Sequence, residues 1–171
     1  MILLQRRGWA ALLPRLALGA VQRVRRIIWM FTRPRTTGAR GICLDRESRL
    51  ILVRHSYVRG WFLPGGAPKA GEPLSDALLR ELREELGMIG YGAVTRFFEV
   101  EQHASGKRDR QTVFLVEGVS FVPRLSLEIE AVAAFALDQL PEELHPSTSY
   151  KLERWQNLDR NWSGILVPDE G

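Results

Sequence analysis

Residues 66–88 read GAPKAGEPLSDALLRELREELGM, a loop rich in Gly and Pro that turns into a helix crowded with carboxylates. Pro73 near the first turn and Gly87 just past the end punctuate a helix running from about Pro73 to Leu86. At about 100° per residue, Glu81, Glu84 and Glu85 fall within one arc of about 100°. Leu78, Leu82 and Leu86 recur at i, i+4 and i+8 as the adjoining stripe and face a core. The acids therefore stand on the border between core and solvent. Asp76–Arg80 and Arg80–Glu84 are spaced as ordinary surface ion pairs, worth roughly 0.3 kcal/mol each. Glu81 and Glu85 are like charges at i, i+4, which costs a similar amount. This is either a solvated, salt-bridged helix or a set of acids that holds a cation.

Outward from the helix the pattern is one of strands. Arg40–Leu44 and Leu50–Val53 are short apolar runs flanking Asp45-Arg46-Glu47-Ser48 and read as a β-hairpin. Trp61-Phe62-Leu63 is a third strand, ended by Pro64-Gly65-Gly66. Val94–Val100 and Thr112–Val116 are the next strands, with His103–Arg110 between them as a polar, basic loop. Ala131–Leu137 is another strand, and Pro146–Leu158 a closing helix begun near Ser147. Strands with two helices inserted predict an α+β, mixed-sheet arrangement rather than regular βαβ alternation.

The chain has 171 residues, enough for one domain with a small appendage. Cys43 is its single cysteine, which excludes an internal disulfide and a thiolate metal cluster, and it reads as a small buried hydrophobe. His55, His103 and His145 are too scattered for a zinc site. Net charge is +4, unevenly spread: residues 1–44 contain no Asp or Glu, and nine arginines fall between Arg6 and Arg40. After Pro14, apolar residues recur at helical spacing from Leu16 to Phe31, with Arg15, Arg23, Arg25 and Arg26 among them. An amphipathic helix over residues 15–31 is expected, lying on an anionic membrane surface or packing on the body or a second copy as a homodimer. A transit peptide shares this composition. No uncharged run is long enough to cross a bilayer.

The whole stretch 66–88 resembles the Nudix box of the Nudix hydrolase (MutT-like) family. The pattern is G, five residues, E, seven residues, then R-E-U-x-E-E-x-G-U with U aliphatic. Gly66, Glu72, Arg80, Glu81, Leu82, Glu84, Glu85, Gly87 and Met88 fill every defined position. Leu63-Pro64-Gly65-Gly66 looks like the family's lead-in, and Asp138-Gln139-Leu140-Pro141 like its late segment. The resemblance covers about residues 38 to 158. It implies a Nudix fold over 38–171, a mixed sheet sandwiched between helices (α/β/α), with residues 1–37 as a basic N-terminal extension carrying the extra amphipathic helix.

The resemblance further implies hydrolysis of a nucleoside diphosphate linked to another moiety, with Mg²⁺ or Mn²⁺. Anionic phosphate repels water and hydroxide at phosphorus, so divalent ions must neutralise it, and carboxylates suit such hard cations. By resemblance the metal ligands are Glu81, Glu84, Glu85 and the Gly66 carbonyl, with Glu81 alternatively polarising the attacking water. Arg80 belongs to the catalytic set as a partner of Glu72 that orients the loop and the glutamates. Glu128, six residues before Ala134, is the further acid, with Glu130 the alternative. Tyr57 and Arg59 are open to contact with a base or phosphate, and Arg108 and Arg110 to steering an anion. His103–Gly106 occupy the zone where subfamily markers for ADP-ribose or dinucleoside polyphosphates would stand, so neither marker is present. The substrate expectation stays at a nucleotide or nucleotide-sugar diphosphate, with no specific nucleic-acid binding. A cytoplasmic location is expected, with peripheral contact at the inner membrane surface left open. The alternative function is a Nudix-fold nucleotide sensor that binds without cleaving.

Overall fold

The computed structural model describes residues 4–5, 35–104, 107–123 and 126–162, with side chains for 36–101, 109–123 and 126–158. Eight strands and two helices follow in the order β1 (Leu4–Gln5), β2 (Arg35–Asp45), β3 (Leu50–His55), β4 (Trp61–Phe62), α1 (Leu74–Leu86), β5 (Met88–Gly90), β6 (Ala93–Ala104), β7 (Lys107–Phe121), β8 (Ile129–Phe135) and α2 (Pro146–Trp162). The sheet runs β1-β8-β3-β2-β7-β5, with β4 added to β3 and β6 to β7. Among the described residues the β2–β7 ladder is parallel and the other ladders are antiparallel. No helix of the described residues is long and apolar enough to cross a membrane. The amphipathic helix expected over 15–31 lies outside the described residues.

Period-two alternation sends the two faces of the sheet to two cores. Ile51, Val53, Val132 and Ala134 join Leu78, Leu82 and Leu86 of α1 on one face. Leu50, Leu52, Ala131 and Ala133 join Leu152 and Trp155 of α2 on the other. This is the α/β/α sandwich. The leucine stripe of α1 is wholly buried, each residue contributing about 2 kcal/mol by removal from water. Gly87 ends α1 in the left-handed conformation at φ 69°, its N–H donating to the Leu82 carbonyl. Cys43 lies in the α1-side core, and burial pushes its thiol far up, so it is inert.

Several strands run further than their apolar runs. β2 begins at Arg35, before the apolar run that starts at Arg40, because β7 offers it a parallel ladder from Arg35↔Arg108 to Gly38↔Gln111, and the Thr36 hydroxyl donates to Asp109. The basic loop expected over His103–Arg110 is likewise largely strand, with His103 opposite Arg108 and Glu101 opposite Arg110. Arg110 is thus an exposed strand residue rather than part of a free loop. Backbone ladders do not require apolar side chains, which is why hydrophobic periodicity stops short of these ends. β8 starts two residues earlier than expected, its Glu130 carboxylate lying 3.0 Å from Arg54 Nε in an ion pair not aligned as a hydrogen bond. A turn from Ala136 to Gln139 ends that strand region, and α2 continues past Leu158 to Trp162. The short β5 had no signal of its own.

Candidate active site

The site begins at the chain between β4 and α1. After Phe62 the backbone leaves β3 and crosses to the first half of β2, where the Ala39 N–H donates to the Gly66 carbonyl at 2.9 Å and the Gly41 N–H to the Pro64 carbonyl at 2.9 Å. The Pro64–Gly66 turn thus takes the place of a neighbouring strand. Both glycines are closely hemmed in, Gly65 by backbone and Gly66 by a side chain. Gly65 has φ +126°, and a Cβ there would lie 2.3 Å from the Ala39 carbonyl oxygen. At Gly66 a Cβ would lie 2.5 Å from the Glu81 carboxyl carbon. The turn is pressed against β2 on one side and the acidic helix on the other.

Gly65 also reaches the helix by hydrogen bond, its N–H donating to Glu85 Oε2 at 2.8 Å. Burial pushes the Glu85 carboxyl up to about 7. The Gly65 N–H and the Arg40 charge act against this, while the charges of Glu81 and Glu128 add to it. Glu81 and Glu128 thus lie within electrostatic reach of Glu85, and a cation there would favour the ionised form of Glu85. Glu130 is instead drawn to Arg54.

Arg80 organises the rest. Its Nε donates to Glu72 Oε1 at 2.9 Å and its Nη2 to Glu72 Oε2 at 3.1 Å, a forked pair. Its Nη1 donates to Glu81 Oε1 at 2.7 Å, and its Nη2 reaches the Ala67 carbonyl at 3.2 Å. Glu84, most exposed of the three acids, stands 3.7 Å from Arg80 Nη1. The Arg80 fork and the Lys69 N–H hold the Glu72 carboxyl down to about 2. Arg80 thus acts chiefly on Glu72 and Glu81, and the helical pairings with Asp76 and Glu84 considered from spacing are secondary.

Beside this constellation, a cleft of about 410 Å³ is lined by residues 54–60, Glu130 and Glu143. None of the box acids lines it. It adjoins them through Glu128, whose carbonyl accepts the Ser56 N–H at 2.8 Å. Tyr57 and Arg59 both line it. His55 continues from Tyr57 to Phe62 at ring-centroid distances of 5.3 Å each, and Phe62 stacks on His145 at 4.3 Å. Burial, helped by Arg40, holds His55 down to about 4, so the ring is neutral at pH 7. Trp61 belongs to the core.

Two charged residues near the site had only faint sequence signals. Arg40 sits in β2 in register with Val113, on the α2 face. Lys151 is 2% exposed, on a helical face shared with Thr148, Leu152 and Trp155. A cation in the inward phase of an apolar pattern was the one available clue to each.

One prediction follows from Gly66. In Gly66→Ala the new methyl displaces the flexible Glu81 carboxylate rather than backbone, so stability should fall by less than about 1 kcal/mol while turnover drops roughly 10- to 100-fold. Wild-type kinetics in the alanine variant would show that the tight Gly66–Glu81 approach has no catalytic role.

Comparisons with known proteins bear on the same residues. A model of the NUDIX domain matches residues 34–156. A MutT NUDIX hydrolase from Burkholderia pseudomallei is 31% identical with a TM-score of 0.62, the match covering 70% of this chain and 97% of that one. The MutT protein of Methanosarcina mazei Go1 shares the fold at a TM-score of 0.63 and 23% identity, over 77% of this chain and 98% of that one. Among curated proteins, a "Putative 8-oxo-dGTP diphosphatase" of Bacillus subtilis (strain 168) is 40% identical over 52 residues, 30% of this chain. That match spans 35% of the curated relative's length. With a complete box built into an α/β/α sandwich and a family match over most of its length, the chain belongs to the Nudix family, the MutT-like hydrolases of diphosphate bonds.

Proposed function

We propose that this protein is a Mg²⁺-dependent pyrophosphohydrolase that cleaves a nucleoside diphosphate linked to another moiety by attack of water at phosphorus. The observation that carries the reading is the joint placement of Glu81 and Glu85 against the Gly65–Gly66 turn, with Arg80 holding Glu81. The donors are all oxygens, as a hard cation prefers, and the buried Glu85 is reluctant to ionise without one. Among the described residues no three His, Cys, Asp or Glu already form a cage. Mg²⁺ keeps several waters and takes few protein ligands, so a subset of the candidate oxygens would suffice to hold it.

Glu81, Glu84, Glu85 and Glu128 would hold the ion, and the Gly66 carbonyl would contribute its second lone pair, the first being used by Ala39. When bound, the ion would neutralise phosphate oxygens and lower the pKa of a coordinated water. Arg80, by engaging Glu81 Oε1, leaves Oε2 to coordinate or to polarise the water. Glu72 keeps Arg80 oriented for that task. The cleft beside Glu128, with Tyr57 and Arg59, is where the remainder of a nucleotide-type substrate would lie; the relative named for 8-oxo-dGTP makes nucleoside triphosphates a first group to test. The catalytic domain expected over 38–171 would start no later than Arg35, where β2 joins the sheet, with the preceding residues as a basic extension whose Leu4–Gln5 strand pairs with β8.

The test is a panel of nucleoside di- and triphosphates and nucleotide sugars, with products identified by chromatography. Release of a nucleoside monophosphate is expected with Mg²⁺ and is lost in EDTA. Undiminished turnover in EDTA, together with full activity of Glu84→Gln, would overturn the assignment.

A further inference from the structure

Arg40 has no part in the chemistry so far, yet it occupies the hinge of the site. Residues 39 and 41 of its strand clamp the Pro64–Gly66 turn, and a Cβ on Gly65 would lie 3.2 Å from the Arg40 Cα. Its side chain is half-buried, and among the described residues no carboxylate comes within ion-pair distance of it. Its guanidinium fork is therefore free to receive an anion from solution. Its field also reaches a second cation. Lys151 is buried in the face of α2, with its Nζ donating to the Ser147 carbonyl at 3.0 Å. Burial and the Arg40 charge pull Lys151 down to about 8, with Asp109 acting against them. The Asp109 carboxylate is already engaged by the Thr36 hydroxyl and by Gln111 Nε2 at 2.6 Å. Lys151 thus feels one partly committed carboxylate and the Arg40 charge, while on the other side the Arg40 charge reaches Glu85 of the acidic helix without pairing to it.

We propose that Arg40 is an anion-binding residue that takes a non-reacting phosphate of the substrate, with buried Lys151 reinforcing the positive field behind it. The proposal names a phosphate contact within the site and rests on the diphosphate-hydrolase reading for its ligand. Glu81, Glu84 and Glu85 repel a phosphate, so a fixed cation on the other side of the turn supplies the attraction that they cannot. Arginine suits the task because its planar fork matches two phosphate oxygens and stays charged at any working pH.

The experiment uses the full chain and imidodiphosphate, a diphosphate with a non-hydrolysable bridge, titrated calorimetrically with Mg²⁺ present. Arg40→Ala is expected to weaken binding roughly 10- to 100-fold, and Arg40→Lys to recover part of the loss. Near-UV circular dichroism establishes that each variant is folded; if the alanine variant is not, Arg40→Gln replaces it. On a cleaved substrate the same variants should raise KM by a similar factor and change kcat by less than about threefold. Wild-type affinity and KM in a folded Arg40→Ala or Arg40→Gln variant would overturn the proposal while leaving the hydrolase reading intact. If the wild type cleaves no diphosphate yet binds imidodiphosphate through Arg40, the hydrolase reading falls and the anion site stands.

Discussion

Glu85→Gln should yield a folded protein whose diphosphate hydrolysis falls on the order of 10³-fold. The amide preserves the volume and can still accept the Gly65 N–H, so the loss isolates the charge. The same substitution should make the metal-free protein more stable. In the folded chain burial raises Glu85 from an ordinary 4.5 to about 7. Between those values the unfolded chain releases a proton that the folded chain retains. Stability associated with neutral Glu85 is therefore full below about pH 4.5 and lost as pH rises through 7. At pH 8 in EDTA the variant should gain on the order of 2–3 kcal/mol over wild type by urea unfolding, and the difference should vanish near pH 4. Adding Mg²⁺ should narrow the gap, since the cation favours the carboxylate. A variant with normal turnover, or one with the wild-type dependence of stability on pH, would contradict the role given to this buried acid.

Gly65→Ala should do the reverse, damaging the fold first and activity as a consequence. The methyl meets the Ala39 carbonyl, which is backbone and cannot swing aside because the adjoining Ala39 N–H is bonded to Gly66. With the added strain at φ +126°, a destabilisation of about 3 kcal/mol or more is expected. Gly71 provides the control: its φ is +76°, but a Cβ there meets nothing within 4 Å. Gly71→Ala should therefore cost only about 1 kcal/mol. Equal losses in the two variants would show that backbone conformation alone, and not the packing of the turn on β2, sets the cost.

The sequence was most readable where one kind of force acted alone. Leu78, Leu82 and Leu86 follow helical periodicity, and all three are buried. The hairpin from Cys43↔Ile51 to Leu44↔Leu50 follows from two apolar runs and a polar turn. Of the three acids on the arc, Glu81 and Glu85 meet the Gly65–Gly66 turn while Glu84 stays exposed, and the Glu72–Arg80 pair forms as the family resemblance implied. Features set by distant partners were not readable. Thr36 is in a strand because β7 lies beside it, 73 residues away in sequence. The preference of Glu130 for Arg54, which leaves Glu128 to act on Glu85, depends on the register between β3 and β8. Arg40 looked like the charged start of a strand, and its place beside the turn, within electrostatic reach of Glu85 but without an ion pair among the described residues, becomes visible only in three dimensions.

The two bonds by which β2 holds the Pro64–Gly66 turn also provide a spectroscopic handle. The amide protons of Ala39 and Gly41 point away from β7 and are bonded to the turn. Their hydrogen-exchange rates therefore report how often the turn lifts away, independently of global unfolding. The amide of Arg40, directed to the other side of the strand, serves as the internal reference. Ligands that tighten the acidic helix against the turn should slow exchange at residues 39 and 41 relative to residue 40, so binding can be followed without turnover.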